Sequence, residues 1–269
     1  MSWVSPCITE ELLSIPWLAD SYQLKPIQGG VINGSYALDS NGKRFYLKVF
    51  SAENLNAINR PQAYSLQRSL AQMKFAPEPL YLSRKGLFQV ESWLHIETID
   101  SNQYSGQQKI QLLAGALTFV HRLNVPAIEI PLVAQWLHYL RLIPKNKDQW
   151  QRRIQLLQDR WYRVEKNCLC HHDLSFGHIC VRPKGVILDW EYAARSNRYF
   201  DIACALLINQ MEPQACQWLY RHYANENNID VEELVNKVGY MLPLAKLTAD
   251  LWTATLTEGE SQSQPLVSN

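Results

Sequence analysis

From Tyr22 to Phe50 the chain reads YQLKPIQGGVINGSYALDSNGKRFYLKVF, with apolar and polar positions alternating between two glycine-containing turns. That period of two is the pattern of half-buried strands. Asn41-Gly42 is a strong signal for a tight hairpin turn, so SYALDSNGKRFYLKVF predicts two antiparallel strands with Lys48 on the second. The pattern then changes period. ENLNAINRPQAYSLQRSLAQM spaces its apolar residues as a helix does and is stopped by the APEP segment at residues 76–79, and LYLSRKGLFQVESWL returns to strand character. Beyond about residue 100 helices take over. QQKIQLLAGALTFVHRL is apolar around much of its circumference, as a buried helix is, whereas DQWQRRIQLLQDRWYRVEKN carries a narrow apolar stripe suited to a surface. CLCHHD and VRPKGVILDWEY interrupt with short strands, Asp189 ending the strand VILDW; helices resume from Asp201, and the tail GESQSQPLVSN reads as frayed.

A strand-rich first third followed by a helical remainder predicts an α+β, two-lobed molecule: residues 1–94 as a small antiparallel-sheet lobe and 95–269 as a larger, mostly helical one. The cleft between two such lobes is the default binding site. Composition narrows the function classes. With 26 basic and 25 acidic residues in 269, and no long block of like charge, nucleic acid is not expected as the main partner. No apolar run approaches the ~20 residues a membrane span needs, and the start MSWVSPCITEELL lacks a signal-peptide pattern, so a cytoplasmic location is expected. Six cysteines then read as reduced thiols.

The candidate chemistry lies in HHDLSFGHICVRPKGVILDWEYA, where Asp173 follows one strand and Asp189 ends another. Two such carboxylates can face one pocket, one accepting a hydroxyl proton and the other holding a divalent cation. With Lys48 on a strand after the Gly-rich turn GGVINGS, the set suits phosphoryl transfer, in which an enzyme mostly positions phosphate and neutralises its charge.

These stretches resemble the kinase-like small-molecule phosphotransferases, the group that holds aminoglycoside phosphotransferases, choline kinases and bacterial thiamine kinases, over nearly the whole chain. LCHHD with LSFGHI is similar to the family's H-x-D-x-x-x-x-N loop, VILDWEYA to its metal strand, RYFDIACAL to the segment after it, GGVINGSYAL to the phosphate-covering hairpin, FYLKVF to the lysine strand and FVHRL to the helix before the catalytic half. The resemblance implies a bilobal protein-kinase-like fold, ATP and Mg²⁺ as cofactors, and roles for particular residues. Asp173 would be the catalytic base, His171 would orient its loop, Asp189 would ligate Mg²⁺ and Lys48 would hold the α- and β-phosphates. Gly29, Gly30, Asn33 and Ser35 would shape the hairpin above them, Val90 to Trp93 with Glu91 would form the adenine hinge, and Asp201 would brace the loop. The W-E-Y after the metal aspartate points to the choline and thiamine branch. The implied acceptor is a small cationic alcohol, thiamine first and choline or ethanolamine next, with an aminoglycoside-type enzyme as alternative. Trp190, Glu191, Tyr192 and Trp252, with Asp250, are candidates for its cation pocket.

Two positions depart from the family pattern. His178 stands where the loop has an asparagine that ligates a second metal ion, which predicts weaker Mg²⁺ binding and a preference for Mn²⁺. Gln62 stands near the place of the lysine's glutamate partner, with Glu53 the other candidate. Both departures also fit a second class, a degenerate kinase fold that binds nucleotide or ligand without turnover. Zinc is the rival reading of the Cys- and His-rich stretch 168–180, opposed by its C-x-C spacing and by strand geometry, which puts Cys168 and Cys170 on one face and His171 on the other.

Overall fold

The computed structural model describes residues 4–18, 21–27, 33–50, 58–100 and 103–259. The chain forms two compact units. The first gathers Met1–Asn54, Ile58–Glu97 and Cys180–Glu191; the second gathers Leu55–Ala57, Thr98–Ile179 and Tyr192–Asn269.

The first unit is built on a five-stranded antiparallel sheet of order β1-β2-β3-β5-β4. Its strands are β1 (Gln23–Pro26), β2 (Gly34–Ser40), β3 (Lys43–Val49), β4 (Pro79–Leu82) and β5 (Phe88–Ser92). The hairpin expected at Asn41-Gly42 joins β2 to β3, and both turn residues take the left-handed conformation its tight reversal requires, at φ 51° and 71°. Registry pairs Ser35 with Lys48 across β2 and β3, and Lys48 with Gln89 across β3 and β5. A short helix, α1 (Pro6–Leu13), covers one face: Ile8, Leu12, Ile15 and Leu18 pack with Tyr36, Leu38, Leu47, Phe88 and Val90 into one core. Burying each such side chain contributes roughly 1.5–3 kcal/mol.

Helix α2 (Arg60–Gln72) is capped by Asn59, whose side chain accepts from the Gln62 amide at 3.2 Å. The helix buries Leu66, Gln67 and Leu70. After it, β6 (Glu97–Thr98) carries the chain from one unit to the next.

The second unit is helical. It contains α3 (Gly106–Arg122), α4 (Leu132–Leu142), α5 (Lys147–Tyr162), α6 (Arg198–Ile208), α7 (Pro213–Asn227) and α8 (Val231–Gly259), with β7 (Cys168–Cys170) paired antiparallel to β9 (Ala194–Ser196). A capping box, Ser105 with Gln108, starts α3, which packs on α7, as α6 does on α8. The core contains Leu113, Leu117, Trp136, Trp161, Phe200 and Tyr223, all at or below 2% exposure. Among the described residues no helix is long and apolar enough to cross a membrane.

The structure corrects three expectations. VILDW is not a strand: β8 (Cys180–Arg182) is, and after the turn at residues 183–185 the Val186 carbonyl accepts from Cys180 N and Ile187 donates to the carbonyl of Phe75, without a continuous ladder to a partner strand. The helix expected to reach Asn167 ends at Tyr162, where the chain turns toward β7. Helix α1 forms where the sequence pattern predicts no element, while α4 falls in the expected helical remainder. The polar tail 260–269 lies outside the described residues.

Candidate active site

In the first unit β3 delivers Lys48 to a buried cluster of charge. Its ammonium lies 2.7 Å from Asp189 Oδ1 and 3.1 Å from Glu191 Oε2. Burial alone would lower the lysine's pKa, but the two carboxylates outweigh it and hold the ammonium well above its ordinary value. Glu191 takes three further hydrogen bonds: Arg60 Nη1 donates to Oε2 at 2.6 Å, and Asn33 Nδ2 to both oxygens at 3.3 and 3.4 Å. Asp189 sits at φ 60°, a left-handed backbone that costs a non-glycine residue roughly 1–2 kcal/mol. Strain of this kind concentrates at functional positions.

The sheet behind the lysine is polar as well. Ser35 and Tyr46 share a hydroxyl hydrogen bond of 2.8 Å. Glu91 is buried and accepts from Gln89, whose amide also reaches Gln67, and burial pushes the Glu91 carboxyl above its ordinary value. Arg44 lies over the Trp93 ring at 5.3 Å. Gly29 and Gly30 fall outside the described residues. Trp190 is in the core at 1% exposure, its indole N–H bound to the Ile187 carbonyl, which removes it from any ligand-facing surface.

In the second unit the loop after β7 hangs from one carboxylate. Asp201, on the first turn of α6, accepts from the backbone amides of His171 and His172 at 3.0 and 2.7 Å and from His121 Nε2 at 3.0 Å. The other ring nitrogen of His121 meets the Tyr223 hydroxyl at 2.8 Å, so α3, α6 and α7 all converge on the loop. Burial would raise the Asp201 carboxyl, but His121, His172 and the backbone donors together hold it well below the usual carboxylate range. His172 stands at φ 64° and donates from Nδ1 to the Tyr192 carbonyl at 2.9 Å, and burial lowers its pKa. Asn209 closes the far side of the loop, donating to the Leu174 carbonyl and accepting from Phe176 N.

These contacts leave Asp173 with a side chain 31% exposed, on a loop whose backbone is fixed on both sides. His171 is fully buried and its Nδ1 accepts from the Asp173 amide at 3.3 Å. His178 donates from Nδ1 to the Asp173 carbonyl at 2.6 Å, which leaves Nε2 as its acceptor nitrogen. Cys168 and Cys170 lie on one strand face, buried, with sulfurs 3.6 Å apart, as a core pair does. His121, Cys170 and Asp201 come within metal-ligand reach of one another, and the hydrogen bonds above account for their proximity. Trp252 is half-buried on α8, and its neighbour Asp250 is engaged by Arg153 at 2.6 Å.

The family model described as the Phosphotransferase enzyme family (APH) matches residues 23–225, which span β3, the loop after β7 and α6. The chain belongs to this family. Relatives at low identity agree with it: Protein LicA of Haemophilus influenzae is 21% identical over 211 residues, covering 74% of this chain and 62% of that one. Probable choline kinase 3 of Arabidopsis thaliana is 24% identical over 205 residues, covering 68% and 59%. The chain thus spans about six tenths of the length of these two relatives. Among solved structures, choline kinase LicA from Streptococcus pneumoniae superposes with a TM-score of 0.72 at 20% identity, over 97% of this chain and 92% of that one. That likeness establishes the bilobal kinase-like fold for this member of the phosphotransferase family.

Within the family's frame, sequence reasoning missed Arg60 and Asn33 as partners of Glu191, and Tyr223 as the partner of His121. Only the lengths between them hid these pairs: they are separated by 131, 158 and 102 positions.

Proposed function

We propose that this chain transfers a phosphoryl group from ATP to the hydroxyl of a small cationic alcohol, choline or ethanolamine before thiamine. Two of the similar proteins, from Arabidopsis thaliana and Streptococcus pneumoniae, bear choline kinase names, which supports choline ahead of the thiamine expected first from the sequence. The observation that carries the reading is the buried Lys48–Asp189 contact of 2.7 Å, a cation and a carboxylate of opposite use in phosphoryl transfer, held together on the family's own motifs.

Residues 1–94 form the nucleotide half and 95–269 the acceptor half in this reading. Lys48 neutralises phosphate charge, and the backbone of Val90 to Trp93 receives the adenine. Asp173 accepts or orients the acceptor's hydroxyl proton in an in-line transfer, so no covalent intermediate is needed. His171 and Asp201 keep its loop in place. The divalent ion suits the donor set: one ammonium already occupies a position between Asp189 and Glu191 oxygens, and hard cations such as Mg²⁺ take oxygen donors. Asp189 and Glu191 would hold it, with His178 Nε2 as a softer donor that favours Mn²⁺. When bound, the ion supplies charge neutralisation for the transferring phosphate. Glu191 thereby moves from the acceptor's cation pocket to the lysine and metal site, and Tyr192 with Trp252 remain for the cationic acceptor.

The test is phosphate transfer by the full chain to choline, ethanolamine, thiamine and an aminoglycoside, each with Mg²⁺ and with Mn²⁺, beside Asp173→Ala. Turnover of one cationic alcohol, lost in the variant, is the expected result. Nucleotide binding without turnover on any acceptor would overturn it in favour of a ligand-binding protein.

A further inference from the structure

In protein kinases the strand lysine is tethered by a glutamate from the following helix, an ion pair that must be in place for activity. Helix α2 contains no acidic residue between Arg60 and Gln72, and Gln62 is exposed on its first turn. Among the described residues the carboxylates on Lys48 are instead Asp189 and Glu191. Yet α2 still reaches the lysine. Its first residue, Arg60, places Nη1 2.6 Å from Glu191 Oε2, the same oxygen that lies 3.1 Å from Lys48 Nζ. Helix, arginine, carboxylate and lysine are therefore linked through one atom.

The geometry around Arg60 is that of a fixed group. Its guanidinium carbon stands 3.8 Å from the centre of the Phe50 ring, two residues beyond Lys48 on the same chain segment. A planar guanidinium can lie on a ring while its edge binds a carboxylate, which an ammonium cannot do. The arginine and glutamate side chains are only 16% and 11% exposed, so the pair is not one of the exposed ion pairs that contribute little. Glu191 is also pinned from the β2 side by Asn33, which leaves it one position.

We propose that Arg60 is a positioning residue for phosphoryl transfer: it supplies from α2, with reversed polarity, the tether to Lys48 that a helix carboxylate supplies elsewhere, using Glu191 as the shared anion. The inference rests on the phosphotransferase reading above. It assigns to α2 a part in nucleotide use that its sequence, lacking any acid, conceals.

The experiment compares Arg60→Gln and Arg60→Lys with the wild-type chain in three readouts: Mg-ADP affinity by calorimetry, kcat and KM for ATP and for the acceptor, and thermal melting. Arg60→Gln is expected to weaken Mg-ADP binding and raise the ATP KM by about tenfold, the size of one charged hydrogen bond, with the acceptor KM unmoved. Arg60→Lys is expected to fall between the two, since it keeps the charge and loses the stacked fork. A folded Arg60→Gln with wild-type nucleotide parameters would overturn the inference, as would a change confined to the acceptor KM. Should Arg60→Gln fail to fold, Phe50→Leu removes the ring beneath the guanidinium while leaving every charge; a rise of about twofold to threefold in the ATP KM is expected there, and none would overturn it. Wild-type protein that binds Mg-ADP but phosphorylates nothing removes the kinase reading and leaves the calorimetric comparison to decide Arg60. Wild-type protein that binds no nucleotide sinks both.

Discussion

The two units solve opposite problems with buried charge. In the first, Lys48, Asp189, Glu191 and Arg60 hold one another by ion pairs whose members sit near the edge of burial, Asp189 with 29% of its side chain exposed. In the second, a single ionised carboxylate, Asp201 at 1% exposure, is surrounded by backbone amides and imidazole. Ion pairs can exchange partners when a phosphate or a metal ion arrives, because each charge only replaces one counter-charge with another. Backbone amides cannot leave, so the second arrangement is permanent. The contrast separates charges that a bound phosphate or metal ion could re-pair from a carboxylate that it could not.

The largest effect that would sharpen this contrast is expected at Asp173. Asp173→Asn should lower phosphate transfer by about 10²–10⁴-fold while leaving thermal melting nearly unchanged, since the amide keeps the size and shape of a side chain that is 31% exposed. Asp201→Asn should do both kinds of damage. Replacing the acceptor of two amides and an imidazole is expected to cost about 2–3 kcal/mol in urea unfolding and to reduce activity through the loop; unchanged stability would break the comparison.

The same carboxylate predicts a pH dependence. Its folded pKa lies below the unfolded value near 3.9, so its contribution is fully present above about pH 5 and is lost as pH falls through and below 4. Urea unfolding from pH 7 to pH 3 should therefore show a decline that is shallower in Asp201→Asn. Tyr223→Phe should cost about 1 kcal/mol with near-normal turnover, because His121 retains Asp201 when it loses the hydroxyl. The smallest effect belongs to His178→Asn, expected to leave stability alone and move metal preference from Mn²⁺ toward Mg²⁺, read as the ratio of rates with the two ions. A variant with no gain under Mg²⁺ would remove His178 from the metal's surroundings.

Much of this was legible in the sequence where the information is local. Asn41-Gly42 announces its turn because two residues must take positive φ, and the loop from His171 to His178 carries its chemistry within eight positions. Legibility failed where a partner is distant or a pattern is short. Eight residues with two buried positions, Ile8 and Leu12, give α1 no visible period. VILDW has a strand's composition, yet a strand needs a partner strand, and the Ile187 amide instead meets the Phe75 carbonyl. The lysine's partner was sought in the next helix, at Gln62 or Glu53, when it lies 141 and 143 positions on; Glu53 itself is outside the described residues. Trp190 looked like a ligand-facing aromatic because W-E-Y does not state which way each side chain turns.

Asp201 grips His171 and His172 by their amides, groups that every residue except proline possesses. The hold is therefore indifferent to which side chains the loop carries. The side-chain bonds of His171, His172 and His178 add to that anchor, so a change at any one of them leaves the amide grip in place. Heritable novelty in this scaffold is cheap where the chain is held by its main chain.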